Sequence, residues 1–281
     1  MSRIDLHLHS TASDGRFCPA EIVRKSAAAG LAVIALADHD TVDGIPAALE
    51  AAKSFPGLRV IPGVEVNTDV DKGEIHILGY FINYTDIDLQ VALERLRGSR
   101  VIRAQKMIAK LKNLGLPIEF ERVKGLAGSG SIGRPHLALA MLEKGYITSV
   151  KDAFNRYIGW GGPAYVKREK ITPAEAVELI LKAGGLPVLA HPFTFSDPEG
   201  IIFELQKKGL IGIEVYYNNY IAEEVKRLVK LAERYHLLTT GGSDFHGLDI
   251  TETPIGGVEV PMESAERLIT LAGQSLKSAN A

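Results

Sequence analysis

Seven of the eight histidines stand in short polar clusters that follow apolar runs: His7-Leu8-His9, Asp38-His39-Asp40, Glu74-Ile75-His76, Arg134-Pro135-His136, Ala190-His191-Pro192 and Ser243-Asp244-Phe245-His246. Only His236 lies apart, in a helix-like stretch. Histidine is the commonest side-chain ligand of metals. A chain that gathers imidazoles and carboxylates at strand ends has a fold that must bring those ends together.

The runs alternate between two periods. Ile4, Leu6 and Leu8 alternate with Asp5, His7 and His9, which is the pattern of a half-buried strand. A helix is expected over 19–31, with Pro19 in its first turn and Gly30 at its end. Strands follow at 32–37, 59–66 and 74–81, with a helix at 45–55 between the first two. From 86 to 162 the texture changes. Leu93, Leu96, Met107, Ile108, Leu111 and Leu114 recur at helical spacing, interrupted at Gly98. Further helices are expected at 135–145 and 149–157, so 86–162 reads as a helical insertion between 1–85 and 163–281. Alternation then resumes with helices at 173–183, 198–208 and 221–236 and strands at 186–190, 211–216 and 237–240. Repeated βα units with short links predict an α/β fold, a parallel sheet closed or nearly closed as a barrel.

Composition narrows the function. At 281 residues and a formal charge of −2, the chain suits one large barrel and has no global attraction for nucleic acid or anionic membrane. Its one cysteine, Cys18, excludes an intramolecular disulfide and a thiolate metal cluster. No apolar leader opens the sequence and no run reaches the length of a membrane span, so a cytoplasmic enzyme without an obligate protein partner is expected.

In βα barrels, functional groups sit at the C-terminal ends of strands and in the loops beyond. His7, His9, His39, Glu65, His191, Asp244 and His246 occupy such places, and His76 lies inside a strand. In His-x-His on a strand both imidazoles face one side, about 7 Å apart along the chain, and both can reach one cation at about 2.0–2.1 Å. Asp14, Glu65 and Asp244 would balance several divalent charges, with Glu65 able to bridge two ions. Two ions about 3.5–4 Å apart hold a hydroxide nucleophile and polarise a phosphoryl oxygen. The plainer readings are satisfied structural histidines and, for Asp14-Gly15 and Asp43-Gly44, simple turns. They must account for seven separate placements at once.

The motifs Asp5-Leu6-His7-Leu8-His9-Ser10, Ala37-Asp38-His39-Asp40-Thr41, Pro62-Gly63-Val64-Glu65, Glu74-Ile75-His76-Ile77-Leu78-Gly79, Ala190-His191-Pro192 and Gly242-Ser243-Asp244-Phe245-His246 together resemble the PHP family. This is the polymerase and histidinol phosphatase superfamily of metal-dependent phosphoesterases. The resemblance runs through nearly the whole chain. It implies a distorted (β/α)7 barrel holding two to three divalent ions, manganese favoured over zinc or iron. It further implies His7, His9, Glu65 and Asp244 at the first ion, Glu65, His76 and His191 at the second, and Asp14, His39 and His246 at the third. Asp14 departs from members that use histidine there. Asp38 is expected to orient His39 rather than to ligate.

The insertion and Gly133-Arg134-Pro135-His136 resemble the branch acting on 3′,5′-nucleoside bisphosphates and on the 5′ ends of short RNA. Arg134 offers a bidentate fork for phosphate and His136 a further donor, with a role as proton donor to the leaving group open to it. A helix start with solvated charges is the alternative. Arg100 and Arg103 stand in a basic stretch that reads mainly as a solvated helix face, yet both could grip a second phosphate, as could Lys167. The expectation is a phosphoesterase acting on a small nucleotide or the end of a short oligonucleotide through a metal-bridging hydroxide held by Glu65 and its neighbours. Its rivals are a phosphatase of another small ester such as histidinol phosphate, an amidohydrolase-type barrel, and a non-catalytic metal-stabilised binding module.

Overall fold

Seven strands form the sheet, neighbouring one another in sequence order: β1 (Ile4–Leu8), β2 (Val33–Leu36), β3 (Arg59–Val70), β4 (Gly73–Tyr80), β5 (Leu186–Leu189), β6 (Gly212–Tyr217) and β7 (Leu238–Gly242). The computed structural model describes residues 3–70, 73–128, 130–167, 171–195, 197–218, 220–248 and 252–279. Around the strands run α1 (Pro19–Ala28), α2 (Ile45–Ala52), α3 (Ile87–Asn113), α4 (Phe120–Ala127), α5 (Arg134–Glu143), α6 (Val150–Ala153), α7 (Pro173–Lys182), α8 (Pro198–Gln206), α9 (Ala222–Arg234) and α10 (Met262–Ala279). A π-helical turn, Phe154–Ile158, continues α6.

Strand alternation sends neighbouring side chains to two different cores. Val33 and Ala35 of β2, Ile61 of β3, Leu78 and Tyr80 of β4 and Val188 of β5 fill the inner core, against Ala265 and Leu268 of α10. Ile34 and Leu36 face α1 and α2, while Val64, Val66, Ile77, Leu189 and Ile213 face α7, α8 and α9. Burial of this kind stabilises by roughly 25 cal/mol per Å² of apolar surface, and it fixes which face each polar residue takes. Glu65 lies four residues beyond Ile61, and His76 two before Leu78, so both point inward.

The barrel is nearly closed. Leu8 bridges Phe245, and the His9 amide donates to the Phe245 carbonyl at 3.1 Å. Gly242 lies so near β1 that a Cβ added there would stand 2.5 Å from the Cβ of His7, so a side chain would push the seam apart.

The sheet departs from the expected all-parallel arrangement. β4 runs antiparallel to both β3 and β5, while β1–β2–β3 and β5–β6–β7 are parallel. Two residues separate β3 from β4; that length can join antiparallel neighbours but cannot make the crossover that parallel strands need. β3 also extends to Val70, pairing along its length with β4.

Gly98 does not interrupt α3, which begins where Asp86 Oδ1 accepts from the Leu89 amide at 2.8 Å. An internal glycine costs about 0.5–1 kcal/mol, and burial of Leu96 and Arg100 on either side offsets it. The first half of α3 packs Leu89, Leu93 and Leu96 on the outer barrel core. Its second half joins a separate core of Met107, Leu111, Val123, Leu137, Met141 and Ile158. Helices α4 and α10 were not expected from the sequence. Among the described residues, no helix is long and apolar enough to cross a membrane.

Candidate metal centre

Glu65 is fully buried and is the hub of the site. Its Oε2 lies 2.7 Å from His39 Nδ1 and 3.4 Å from the Nε2 of both His7 and His9. Its Oε1 lies 2.8 Å from His76 Nδ1 and 3.1 Å from His191 Nε2. Asp244 Oδ1 stands 2.9 Å from His9 Nε2 and 3.4 Å from His7 Nε2. Asp14 Oδ1 stands 3.3 Å from His246 Nε2, and its Oδ2 stands 3.9 Å from His39 Nε2. All the residues expected to ligate metal therefore meet, although they come from the ends of β1, β2, β5 and β7, the bodies of β3 and β4, and the loop after β1.

Three overlapping donor sets have ligand atoms mutually within 4.8 Å: His7, His9, Glu65 and Asp244; His39, Glu65 and His76; and His9, Asp14, His39 and His246. The first matches the expected grouping. The second contains His39 where His191 was expected, and the third adds His9.

The residues fit divalent cations on a specific count. His7 Nε2, His9 Nδ1, Asp14 Oδ1, His39 Nδ1 and Glu65 Oε2 are buried yet have no aligned hydrogen-bond partner among the described residues. A buried polar atom left unsatisfied costs about 1–3 kcal/mol. Several of them converging on one carboxylate form a donor set of imidazole and carboxylate, the chemistry that suits zinc, manganese or iron.

Electrostatics divides the histidines of the site: His9 and His76 are pushed down, while, against burial, His7, His191 and His246 are held up by the carboxylates around them. Burial, reinforced by His246 and His39, pushes His9 down to about 3. Burial pushes His76 down to about 4, against the pull of Glu65. Both imidazoles are thus neutral at physiological pH, as ligation requires. Burial would lower His246 as well, but the Asp14 and Asp244 carboxylates hold it up at about 10. The buried carboxyls of Asp14, Glu65 and Asp244 are held below the usual carboxylate range, because the surrounding histidines outweigh desolvation.

Buried carboxylates carry the frame. Asp5 accepts from the Ser243 amide at 3.0 Å and its hydroxyl at 2.6 Å, fixing the turn that bears Asp244. Glu214, on the inner face of β6, has Oε1 3.0 Å from His7 Nδ1, while Oε2 accepts from the His191 amide at 2.9 Å. The sequence reading missed Glu214. Its signal was a lone acid inside the apolar strand Ile213-Glu214-Val215. Tyr217 was missed too; its hydroxyl donates to Asp244 Oδ2 at 2.8 Å.

Asp38 does not orient His39. It accepts from the Ser10 amide, the Ser10 hydroxyl and the Ser13 hydroxyl, each at 2.7 Å, and so braces the loop that carries Asp14. Neighbours in an extended segment point to opposite sides, so Asp38 turns away when His39 turns in.

Beside the donor sets lies a cavity of about 160 Å³, lined by Arg100, Arg103 and Arg134 together with Asn67, Glu74 and four of the expected ligands. Its arginines are not a solvated face. Arg100 is buried, giving Nε to Asp40 at 2.7 Å and an η-nitrogen to Asn67, whose own amide nitrogen lies 2.5 Å from His76 Nε2. Arg103 and Arg134 pair with the two oxygens of Glu74. His136 Nδ1 accepts from the Gly133 amide at 3.0 Å and caps α5, which leaves Nε2 as the donor of the ring, and the residue is not among those lining this cavity. Gly133 lets that helix start approach Asp14, where a Cβ would stand 2.9 Å from Oδ2. Lys167 is exposed and lies outside the lining of this cavity.

Comparison with known proteins places these features. The model of the PHP domain matches residues 5–148. A 5′-3′ exoribonuclease of Haemophilus influenzae is 35% identical over 248 residues, covering 87% of this chain and 90% of that protein. A 3′,5′-nucleoside bisphosphate phosphatase of Chromobacterium violaceum is 32% identical, covering 88% of each. A crystal structure from Bifidobacterium adolescentis, described as a proposed metal-dependent phosphoesterase, superposes with a TM-score of 0.87 at 27% identity, covering 95% of each chain.

Proposed function

The chain belongs to the PHP family of metal-dependent phosphoesterases, and within it we propose a hydrolase of nucleotide phosphate esters. The substrate is a 3′,5′-nucleoside bisphosphate or the 5′ end of a short oligoribonucleotide; the relatives' names, a 3′,5′-nucleoside bisphosphate phosphatase and a 5′-3′ exoribonuclease, support that class. The observation that carries the reading is the juxtaposition of the donor cluster on Glu65 with an arginine-lined cavity opening on the same histidines.

His7, His9, Glu65 and Asp244 would hold one ion, Glu65, His76 and His191 a second, and Asp14, His39 and His246 a third. We favour manganese. Bound there, such ions supply a strong nucleophile from water at neutral pH and neutralise charge on the phosphoryl oxygens.

The protein's own groups do the rest. Arg134 and Arg103 meet non-bridging phosphate oxygens as the substrate displaces Glu74 from them. Arg100 stays on Asp40 and Asn67, and Asn67 fixes the ring of His76. Glu214 holds His7 and the His191 backbone from behind.

Phosphate release from adenosine 3′,5′-bisphosphate and from histidinol phosphate, measured on the manganese-loaded protein, tests the reading. Faster release from the bisphosphate is expected. Faster release from histidinol phosphate would replace the proposal with the other small-ester phosphatase. No turnover across a phosphoester panel would leave a binding module or an amidohydrolase.

A further inference from the structure

Glu74 sits where an anionic substrate is expected to go. It is the second residue of β4, two before His76, so strand alternation sends both side chains to the same face. Its Oε1 accepts from Arg103 at 3.2 Å and its Oε2 from Arg134 at 2.5 Å. One carboxylate thereby takes a donor from each of the two arginines, and its side chain is only 12% exposed, so water screens the pairing weakly. Oxygens shared between guanidinium groups are also what a bound phosphate presents.

The arginines have other means of keeping their place. Arg134 opens α5, and its guanidinium lies over the rings of Phe154 and Tyr165, 5.3 and 5.9 Å from their centroids. Arg103 belongs to the long helix α3 and is buried. The neighbouring pair of Arg100 and Asp40 is built differently. Asp40 is fully buried, accepts from the Asn67 amide at 2.9 Å as well, and lines neither cavity at the centre. Glu74 lines both the cavity of about 160 Å³ and a recess of about 990 Å³ that opens on His39, His76, His191 and Asp244. A carboxylate that leaves the arginines has that recess to turn into.

Building on the phosphoester reading above, we infer that Glu74 is an internal competitor for phosphate. With no phosphate bound, its carboxylate neutralises the arginine pair. An incoming phosphate group, with three oxygens and about two negative charges against one, takes the pair over. After hydrolysis the carboxylate returns and loosens the product. Every phosphate thus gives up part of its binding energy to displace Glu74, which holds down the affinity for substrate and product alike.

The sign of one measurement decides. Glu74→Gln keeps the shape and one acceptor but removes the competing charge. Calorimetric titration of the manganese-loaded protein with inorganic phosphate gives a Kd about tenfold lower in this variant, and KM for the nucleotide and the inhibition constant of phosphate fall with it. If Glu74 only held the arginines in place, the same variant would bind phosphate more weakly, so a raised or unchanged Kd overturns the inference.

Glu74→Asp separates competition from a general charge effect. It keeps the charge, but its shorter arm cannot serve both arginines, so it also tightens phosphate, by about threefold or more. Tightening confined to Glu74→Gln would assign the effect to net charge alone. Elemental analysis reads the same metal content in all three proteins; a change would make Glu74 a support of the ligands and overturn the inference. Failure of the nucleotide reading shows in the phosphate-release assay, while this titration reports phosphate binding whichever ester is cleaved.

Discussion

Replacing Glu214 by glutamine keeps the shape of β6 but removes one of two acceptors. The carboxylate serves His7 Nδ1 at 3.0 Å through one oxygen and the His191 amide at 2.9 Å through the other. Glutamine offers one oxygen and one NH₂ group, so one partner must face a donor. A buried donor left without an acceptor costs about 1–3 kcal/mol. Loss of an outer hydrogen bond that fixes a ligating histidine typically weakens metal binding about 10- to 100-fold. Both His7 and Glu214 are fully buried, so water cannot substitute. We therefore expect Glu214→Gln to fold, to lose about 2–12 °C in Tm, and to need about 10–100 times more metal for half-maximal activity. At saturating metal, kcat should return to within a few-fold of the parent. Metal titration by calorimetry beside steady-state kinetics checks this. Unchanged metal affinity, or a kcat loss that metal does not rescue, would refute the argument that Glu214 acts by orienting ligands.

Asp38→Ala removes the acceptor of the Ser10 amide and of the Ser10 and Ser13 hydroxyls, and should destabilise by at least about 2 kcal/mol in urea unfolding while lowering the metal content of the set that includes Asp14. Arg134→Ala should raise KM and lower kcat/KM by about tenfold or more, with elemental analysis unchanged; loss of metal would show that the arginine supports ligands rather than phosphate. Chelation should abolish activity, and manganese should restore it. If the metal was present at about 1,000 times its Kd, chelation should also lower stability by about 4 kcal/mol; equal Tm with and without chelator would contradict a cluster built on orphaned buried donors.

Much of the site was legible in the sequence because each ligand lies in or beside a short apolar run whose period declares a strand. His7 and His9 share a face by alternation alone, and Glu65 and His76 sit in strands that their apolar neighbours mark, although β3 runs four residues past its expected end. Helix α10 was legible too, since Ala265, Leu268 and Ala272 follow helical spacing, although it was not expected.

Partners far apart in the chain lay beyond local pattern. The basic stretch around Arg100 and Arg103 has the look of a solvated face, yet Asp40 lies 60 residues from Arg100 and Glu74 lies 29 residues from Arg103. Arg134 reaches the same glutamate from 60 residues away. That His136 Nδ1 closes the start of α5 also becomes visible only in the fold.

The sequence by itself determined the strands, their inward faces and the kinds of donor each presents, because period and residue chemistry are local properties. The direction of β4, the turning of Asp38 toward the serines, the pairing of arginines with Asp40 and Glu74, and the bracing of His7 by Glu214 were decided only by the closed barrel. Each of these depends on which distant backbone arrives at contact distance, and a buried charge takes whatever partner the packing brings to it.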